Sequence, residues 1–76
     1  MKPLTERKKL TERQSNIYEW IKKYQLDNHG RSPSFREIGK AFDITVTGAY
    51  DHLACIAKKN YVGIIPNISR GIYIIE

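Results

Sequence analysis

The sequence has almost no cysteine and no long apolar run. One cysteine in 76 residues can form neither an internal disulfide nor a cysteine-rich zinc site, so we expect no metal, no cofactor and a reducing cytoplasm. No apolar stretch approaches the roughly 18 residues of a membrane-spanning helix. The N-terminal stretch MKPLTERKKL is charged and lacks the apolar centre of a secretory signal. We therefore expect neither a membrane partner nor a secreted protein.

Acidic residues are also scarce. Thirteen Lys and Arg residues against eight Asp and Glu residues give a formal net charge of +5. This excess of positive charge favours an anionic partner, of which nucleic acid is one class. Seventy-six residues form one small domain, whose core has no room for a large ligand cavity or a buried catalytic site.

The first predicted helix begins near Thr11. The motif LTER occurs twice, but only Thr11 is followed three residues later by a residue, Gln14, that completes a capping box. Residues 1–9 are therefore interpreted as a basic, mobile arm, and residues 10–76 as the folded domain. Four apolar residues then recur at helical spacing, namely Ile17, Trp20, Ile21 and Tyr24. Gly30 suits the left-handed position after the last turn.

A second, short helix begins after Ser34, which forms another capping-box pattern with Glu37. Its inward residues are predicted to be Ile38, Ala41 and Phe42. A tight connection follows, and Thr45 is predicted to cap a third helix.

The third helix has one apolar side and one side of mostly short residues. At 100° per residue the apolar side comprises Val46, Ala49, Leu53, Ile56 and Ala57. The opposite side comprises Thr47, Gly48, Asp51, Ala54, Cys55 and Lys58. A face without bulky side chains is typical of a helix that must approach another surface closely.

The C-terminal third of the chain changes to strand-like periodicity. The runs YVGII and GIYII are rich in β-branched and aromatic residues, and PNISR between them contains turn residues. The predicted fold is mainly α with a small β-hairpin. Three helices plus a hairpin, with a short turn between the second and third helices, form a winged helix-turn-helix.

Four segments resemble the DNA-binding domain of the LexA repressors: LTERQ, SPSFREIG, GAYDHLACIAKKNYV and SRGIYII. They stand in the family's order and close to its spacing, from Leu10 to the C-terminus. The resemblance implies repression of DNA-damage (SOS) genes through palindromic double-stranded operator DNA, in the bacterial cytoplasm at the nucleoid. It also implies a homodimer on DNA, whose main dimerisation region we expect outside this chain. The family's self-cleaving Ser/Lys peptidase domain is expected to lie beyond these residues, so we predict no enzyme activity.

The resemblance places the base-reading residues at the start of the third helix. They match Thr45, Thr47, Gly48, Tyr50 and Asp51. Well-known members have Asn and Glu among these positions, so the operator sequence is expected to differ. A carboxylate near phosphates is unfavourable unless it accepts a hydrogen bond from a base, and the amino group of cytosine can donate one to Asp51.

Phosphate contacts are predicted around the second helix and in the hairpin, which is the wing. Arg31 and Ser32 precede that helix, which crosses the DNA backbone in such motifs, and Ser34 lies at its N-terminus. Ser69 and Arg70 match the family's wing, and Arg70 is expected near the wing tip. Lys58, at the end of the third helix, either contacts phosphate or complements the helix dipole.

Other readings of the same residues lead to other classes of protein. The short side of the third helix could pack on another protein chain, which would make this a winged-helix protein–protein module. His52 and Cys55 are three residues apart, but a zinc site needs about four ligands, or three plus water. RNA-binding modules commonly stack bases on an exposed aromatic sheet, a feature that the sequence does not predict. Sequence-specific binding of duplex DNA is the function that the sequence favours.

Overall fold

The computed structural model describes residues 8–68 and 70–75. Within these residues the chain forms three helices, which are α1 (Glu12–Asp27), α2 (Phe35–Phe42) and α3 (Val46–Lys58). They are followed by two strands, β1 (Val62–Ile64) and β2 (Ile72–Ile74). The prediction of three helices plus a hairpin is confirmed. No described helix is long and apolar enough to cross a membrane.

Each helix begins at the predicted capping residue. The Gln14 backbone N–H donates to Thr11 Oγ1 at 3.2 Å, and the Thr11 N–H donates to Gln14 Oε1 at 3.1 Å. The box at the start of α2 has the same reciprocal bonds between Ser34 and Glu37, at 3.1 and 2.9 Å. These side chains satisfy amides that the first helical turn leaves without intrahelical partners.

The core lies where α1, α2, α3 and the hairpin meet. Its apolar members are Ile17, Tyr18, Ile21, Ile38, Ala49, Leu53, Ile56, Val62 and Ile72. Trp20 is half-buried at the edge and packs against Phe42, with ring centroids 5.9 Å apart. Because two strands alone are only marginally stable, the hairpin depends on Val62 and Ile72 packing against the helices.

For two residues, the prediction that the side chain faces inward was wrong. Val46 is 51% exposed, because a side chain in the first turn tilts toward the helix N-terminus and projects beyond the packed part of α3. Ala41 is exposed, and Gly39 takes the buried position on α2 instead. The buried glycine was missed because a hydrophobic pattern gives no weight to a residue without a side chain.

The turn between α2 and α3 is built on Gly39. A Cβ atom there would lie 2.7 Å from the Ile44 carbonyl oxygen, which is closer than real Cβ contacts. The Ile44 N–H donates to the Gly39 carbonyl at 2.8 Å, and Asp43 adopts the left-handed conformation with φ 56°. These contacts leave only three residues between the end of α2 and the start of α3, which places the two helices as a helix-turn-helix.

The hairpin is antiparallel, with Val62 opposite Ile74 and Ile64 opposite Ile72. Beyond the strands, the Ile65 N–H donates to the Gly71 carbonyl at 2.8 Å. A Cβ on Gly71 would lie 2.6 Å from the Ile65 carbonyl oxygen. The segment entering β2 is therefore held against the segment leaving β1, and the two sides of the wing are linked beyond the strand ends.

The described end of the predicted arm is bound to the domain. The Tyr61 hydroxyl donates to the Lys8 carbonyl at 2.9 Å, and Lys59 Nζ donates to the Lys9 carbonyl at 2.9 Å. Lys59 Nζ also donates to Gln14 Oε1 at 2.8 Å. Residues 1–7 of the predicted arm lie outside the described residues.

We predict that Gly39→Ala destabilises the domain by about 1–3 kcal/mol, the range for overpacking, although alanine is the better helix former. The added methyl group would meet backbone at Ile44 rather than a side chain that can move. Thermal unfolding followed by circular dichroism measures the change. Lys40→Ala, at an exposed position of the same helix, is the control and should change stability by less than about 0.5 kcal/mol. A Gly39→Ala variant as stable as the natural protein would contradict this account of the turn.

Candidate nucleic-acid interface

The outward side of α3 presents the predicted short face. Thr45, Thr47 and Asp51 are exposed, while Gly48 is half-buried. The buried side of the same helix holds Ala49, Leu53 and Ile56 at 0% exposure. Thirteen residues at 1.5 Å each make α3 about 20 Å long, and the DNA major groove is about 12 Å wide and admits one helix.

The hydroxyl of Thr45 is at the N-terminus of this face. Thr45 Oγ1 accepts from the Gly48 N–H at 2.9 Å and so caps α3. A hydroxyl that accepts one bond still has a hydrogen to donate. Thr45 can therefore cap the helix and donate to a base edge or a phosphate at the same time.

Tyr50 is supported by a residue that the sequence analysis did not select. Its ring lies 5.3 Å from the ring of Phe35, the first residue of α2, and its side chain is 51% exposed. The contact fixes one side of the Tyr50 ring and leaves the other side accessible. The signal that could have drawn attention is an aromatic residue directly after the Ser34 cap, and Phe35 is half-buried against the core.

The segment that leads into α2 contains three residues that were predicted to contact phosphate, and their surroundings differ. The Arg31 side chain is exposed and Ser34 is half-buried. Ser32 is only 7% exposed, and its hydroxyl donates to the Pro33 carbonyl at 2.9 Å. The Ser32 hydroxyl is therefore buried and already bonded in this structure, whereas the Arg31 side chain is open to solvent.

Arg70 points back toward α2 rather than outward from the wing tip. The wing turns at Pro66 and Asn67. Arg70 Nη1 lies 2.8 Å from Glu37 Oε1 and donates to the Ser32 carbonyl at 2.8 Å. Arg70 lies in the loop between the strands, as expected for a residue near the wing tip, but its side chain is directed at α2 because the acidic residue of the capping box attracts the guanidinium.

The Glu37 carboxylate has hydrogen-bond partners from several elements. Oε1 accepts from the Ser34 N–H and pairs with Arg70, while Oε2 accepts from the Tyr24 hydroxyl of α1 at 3.0 Å. The Ser34 N–H, and after it the Arg70 guanidinium and the Tyr24 hydroxyl, lower the pKa of Glu37 to about 2. We call Glu37, Arg70, Tyr24 and Ser32 the α2–wing cluster.

The remaining predicted residues are dispersed. Lys58 is exposed in the last turn of α3, whereas its neighbour Lys59 bonds to Gln14 and to Lys9 as described above. Ser69 lies outside the described residues. His52 is half-buried and Cys55 is exposed, and in the described part of the chain no three His, Cys, Asp or Glu residues are grouped as metal ligands.

The sequence matches a family described as the LexA DNA binding domain over residues 1–71. The chain is 41% identical over 69 residues to the LexA repressor of Thermosipho melanesiensis and 43% identical over 69 residues to that of Leptospira interrogans. It is 45% identical over 56 residues to the LexA repressor of Pseudothermotoga lettingae, which covers 74% of this chain and 28% of that protein.

These alignments differ in how much of each protein they cover. The first two include 91% of this chain but 34% of the relatives. The chain thus spans about a third of the length of the curated relatives it matches.

The low pKa of Glu37 predicts a pH-dependent contribution to stability. Because the pKa is about 2 in the fold and 4.5 ordinarily, the charged form stabilises the fold above about pH 4.5. This stabilisation is lost as the pH falls toward about 2. Glu37→Gln keeps a residue suited to the capping box but removes the charge, so it should be less stable than the natural protein near neutral pH.

The stability difference should then shrink as the pH falls from about 5 to about 2.5, measured by urea unfolding at each pH. Glu19→Gln is the matched control, since the Glu19 carboxylate lies 4.0 Å from Lys22 Nζ at the surface. Exposed pairs of that kind contribute about 0.2–1 kcal/mol at most. A Glu37→Gln difference that stayed constant with pH would contradict the pKa assignment.

Proposed function

The chain belongs to the LexA DNA-binding domain family, and from this premise we propose that it recognises operator DNA for a transcriptional repressor of the DNA-damage (SOS) response. The observation that carries the proposal is the exposed face of α3, which carries mostly short side chains and lies opposite the core. That face can enter a major groove without separating α3 from the helices that support it. The net charge of +5 favours association with the polyanion.

Base recognition is assigned to α3. Thr45 and Thr47 would donate to or accept from base edges, and Gly48 would allow the backbone to approach the bases closely. Asp51 would accept from the amino group of a cytosine, the one base that presents only a donor in the major groove. Tyr50, held against Phe35, would offer its hydroxyl and one ring edge to a neighbouring base pair.

Phosphate contacts are assigned to residues around both helices of the motif. Arg31 precedes α2, the helix that crosses the backbone in helix-turn-helix complexes, and its exposed guanidinium can bind a phosphate. Ser34 Oγ accepts from the Glu37 N–H and keeps its own hydrogen for a phosphate oxygen. Lys58 is exposed at the far end of α3. Ser69 of the wing is assigned with them, on the family resemblance alone.

The proposed complex contains two copies of the domain on one palindromic operator. Such motifs bind inverted half-sites on the same face of the duplex, with centres about one helical turn or a multiple of it apart. The main contacts between the two copies are assigned to a region outside this chain. The proposed location is the bacterial cytoplasm, at the nucleoid. No enzyme activity is assigned to these residues.

Selection of bound duplexes from a random DNA pool tests the function. We expect an enriched inverted repeat, with each half-site protected from hydroxyl-radical cleavage on the same face of the helix. Enrichment of no sequence, with weak binding that disappears as salt rises, would instead favour a winged-helix protein–protein module with an incidentally basic surface.

Asp51→Ala should remove the preference at one base pair. A good contact to a base edge contributes about 1–3 kcal/mol of discrimination, so the variant should bind single-base variants at that position equally well. Affinity for unrelated DNA should be unchanged or higher, because a charge that repels phosphates is gone. Titration against the selected operator, its single-base variants and a scrambled duplex measures both effects. Unchanged base preference would mean that this face of α3 does not enter the groove.

Arg31→Ala should weaken binding to every sequence by a similar factor. Loss of one phosphate contact should also lower the slope of log K against log salt by about 0.9. Fluorescence anisotropy at several salt concentrations measures this slope. Arg36→Ala, an exposed arginine on α2 with no assigned contact, provides the comparison. A changed base preference in Arg31→Ala would show that Arg31 reads sequence rather than phosphate.

A further inference from the structure

The α2–wing cluster connects the wing to α1 and α2. Arg70 comes from the wing, Glu37 from α2, Tyr24 from α1, and Ser32 from the segment that leads into α2. A single nitrogen, Arg70 Nη1, makes both 2.8 Å contacts, one to the Glu37 carboxylate and one to the Ser32 carbonyl. Tyr24 Oη lies 3.4 Å from the same nitrogen. Arg70 therefore contacts three parts of the helical unit from one position in the wing.

Position 70 is also firmly joined to the rest of the wing. The next residue, Gly71, is buried, and its carbonyl accepts from the Ile65 N–H across the hairpin. Gly71 fits closely against Ile65 because it has no Cβ. A displacement of Arg70 would therefore move both sides of the hairpin together. A second polar link between the wing and a helix is longer, from Gln25 Nε2 to the Ile72 carbonyl at 3.5 Å.

The electrostatics of the cluster oppose a direct phosphate contact by Arg70. The Glu37 carboxylate neutralises the guanidinium and would repel a phosphate placed beside it. Moving Arg70 to a phosphate would leave Glu37 without its cationic partner and break the bond to Ser32. Arg31, whose side chain is exposed beside α2, is a better phosphate ligand in the same region.

We propose that Arg70 is a positioning residue: acting through Glu37, it holds the wing at a fixed orientation to the helix-turn-helix and thereby sets operator affinity. This proposal rests on the proposed function. It replaces the phosphate contact that the sequence predicts for Arg70. DNA then meets a wing that is already oriented, so less conformational freedom is lost on binding.

The test is a double-mutant cycle on the natural protein, Arg70→Ala, Glu37→Gln and the double variant. Glu37→Gln is suitable because glutamine retains the capping box while losing the charge that holds Arg70. Each protein is titrated with the selected operator at several salt concentrations. Arg31→Ala, measured in parallel, gives the salt response expected of a true phosphate contact.

A positioning role predicts non-additive effects. Arg70→Ala should lower operator affinity about three- to thirtyfold in the natural background, as is typical of residues coupled in one network. In the Glu37→Gln background the same substitution should change affinity less than about twofold. The salt slope should stay within about 0.3 of that of the natural protein, unlike that of Arg31→Ala. An undiminished effect of Arg70→Ala in the Glu37→Gln background, with a slope lowered by about 0.9, would overturn the proposal in favour of a phosphate contact.

A measurement on the free protein separates this proposal from the proposed function. Residual dipolar couplings of backbone amides report the orientation of the wing relative to α2. Arg70→Ala and Glu37→Gln should each change the couplings of Val62, Ile64 and Ile72 relative to those of the helices. The couplings within α2 and α3 should still fit one common alignment. Couplings unaltered by both variants would overturn the positioning role even if operator binding is found. Altered couplings in a protein that selects no DNA sequence would uphold the α2–wing connection and reject the proposed function.

Discussion

The close approach of the Ile44 carbonyl oxygen to Gly39 is the constraint on which the rest of the arrangement depends. Because Gly39 has no Cβ, the Ile44 carbonyl oxygen can approach it, and only three residues separate the end of α2 from the start of α3. That spacing fixes the direction of α3. The direction of α3 then decides that Ala49, Leu53 and Ile56 enter the core while its opposite side faces outward.

Glu37 is the second point where several elements meet. As the third residue of α2 it completes a capping box, which is a local role that its spacing from Ser34 predicts. The same carboxylate also receives a tyrosine from α1 and an arginine from the wing. A charge at the N-terminus of a helix is favoured by the helix dipole, so local capping and long-range attachment support each other.

The local rules predicted the elements well and their mutual contacts poorly. Thr11, Ser34 and Thr45 could be identified as caps because capping depends on residues three positions apart. The exposed face of α3 followed from the 100° periodicity. The ion pair of Arg70 with Glu37 joins residues 33 positions apart, and no local pattern reports such a pair. Phe35 beneath Tyr50 was missed for the same reason.

The separation of the two faces of α3 has a consequence for how the domain can diversify. Thr47 and Asp51 are exposed and project from the helix without supporting its packing. Under the proposed function, their replacement would alter the preferred DNA one base pair at a time while the scaffold keeps its stability. Tyr50 differs, since a new side chain there also loses the ring of Phe35. If the proposed function holds, a new DNA preference would be simplest to introduce at Thr47 and Asp51, whereas a change at Tyr50 would need a matching change at Phe35.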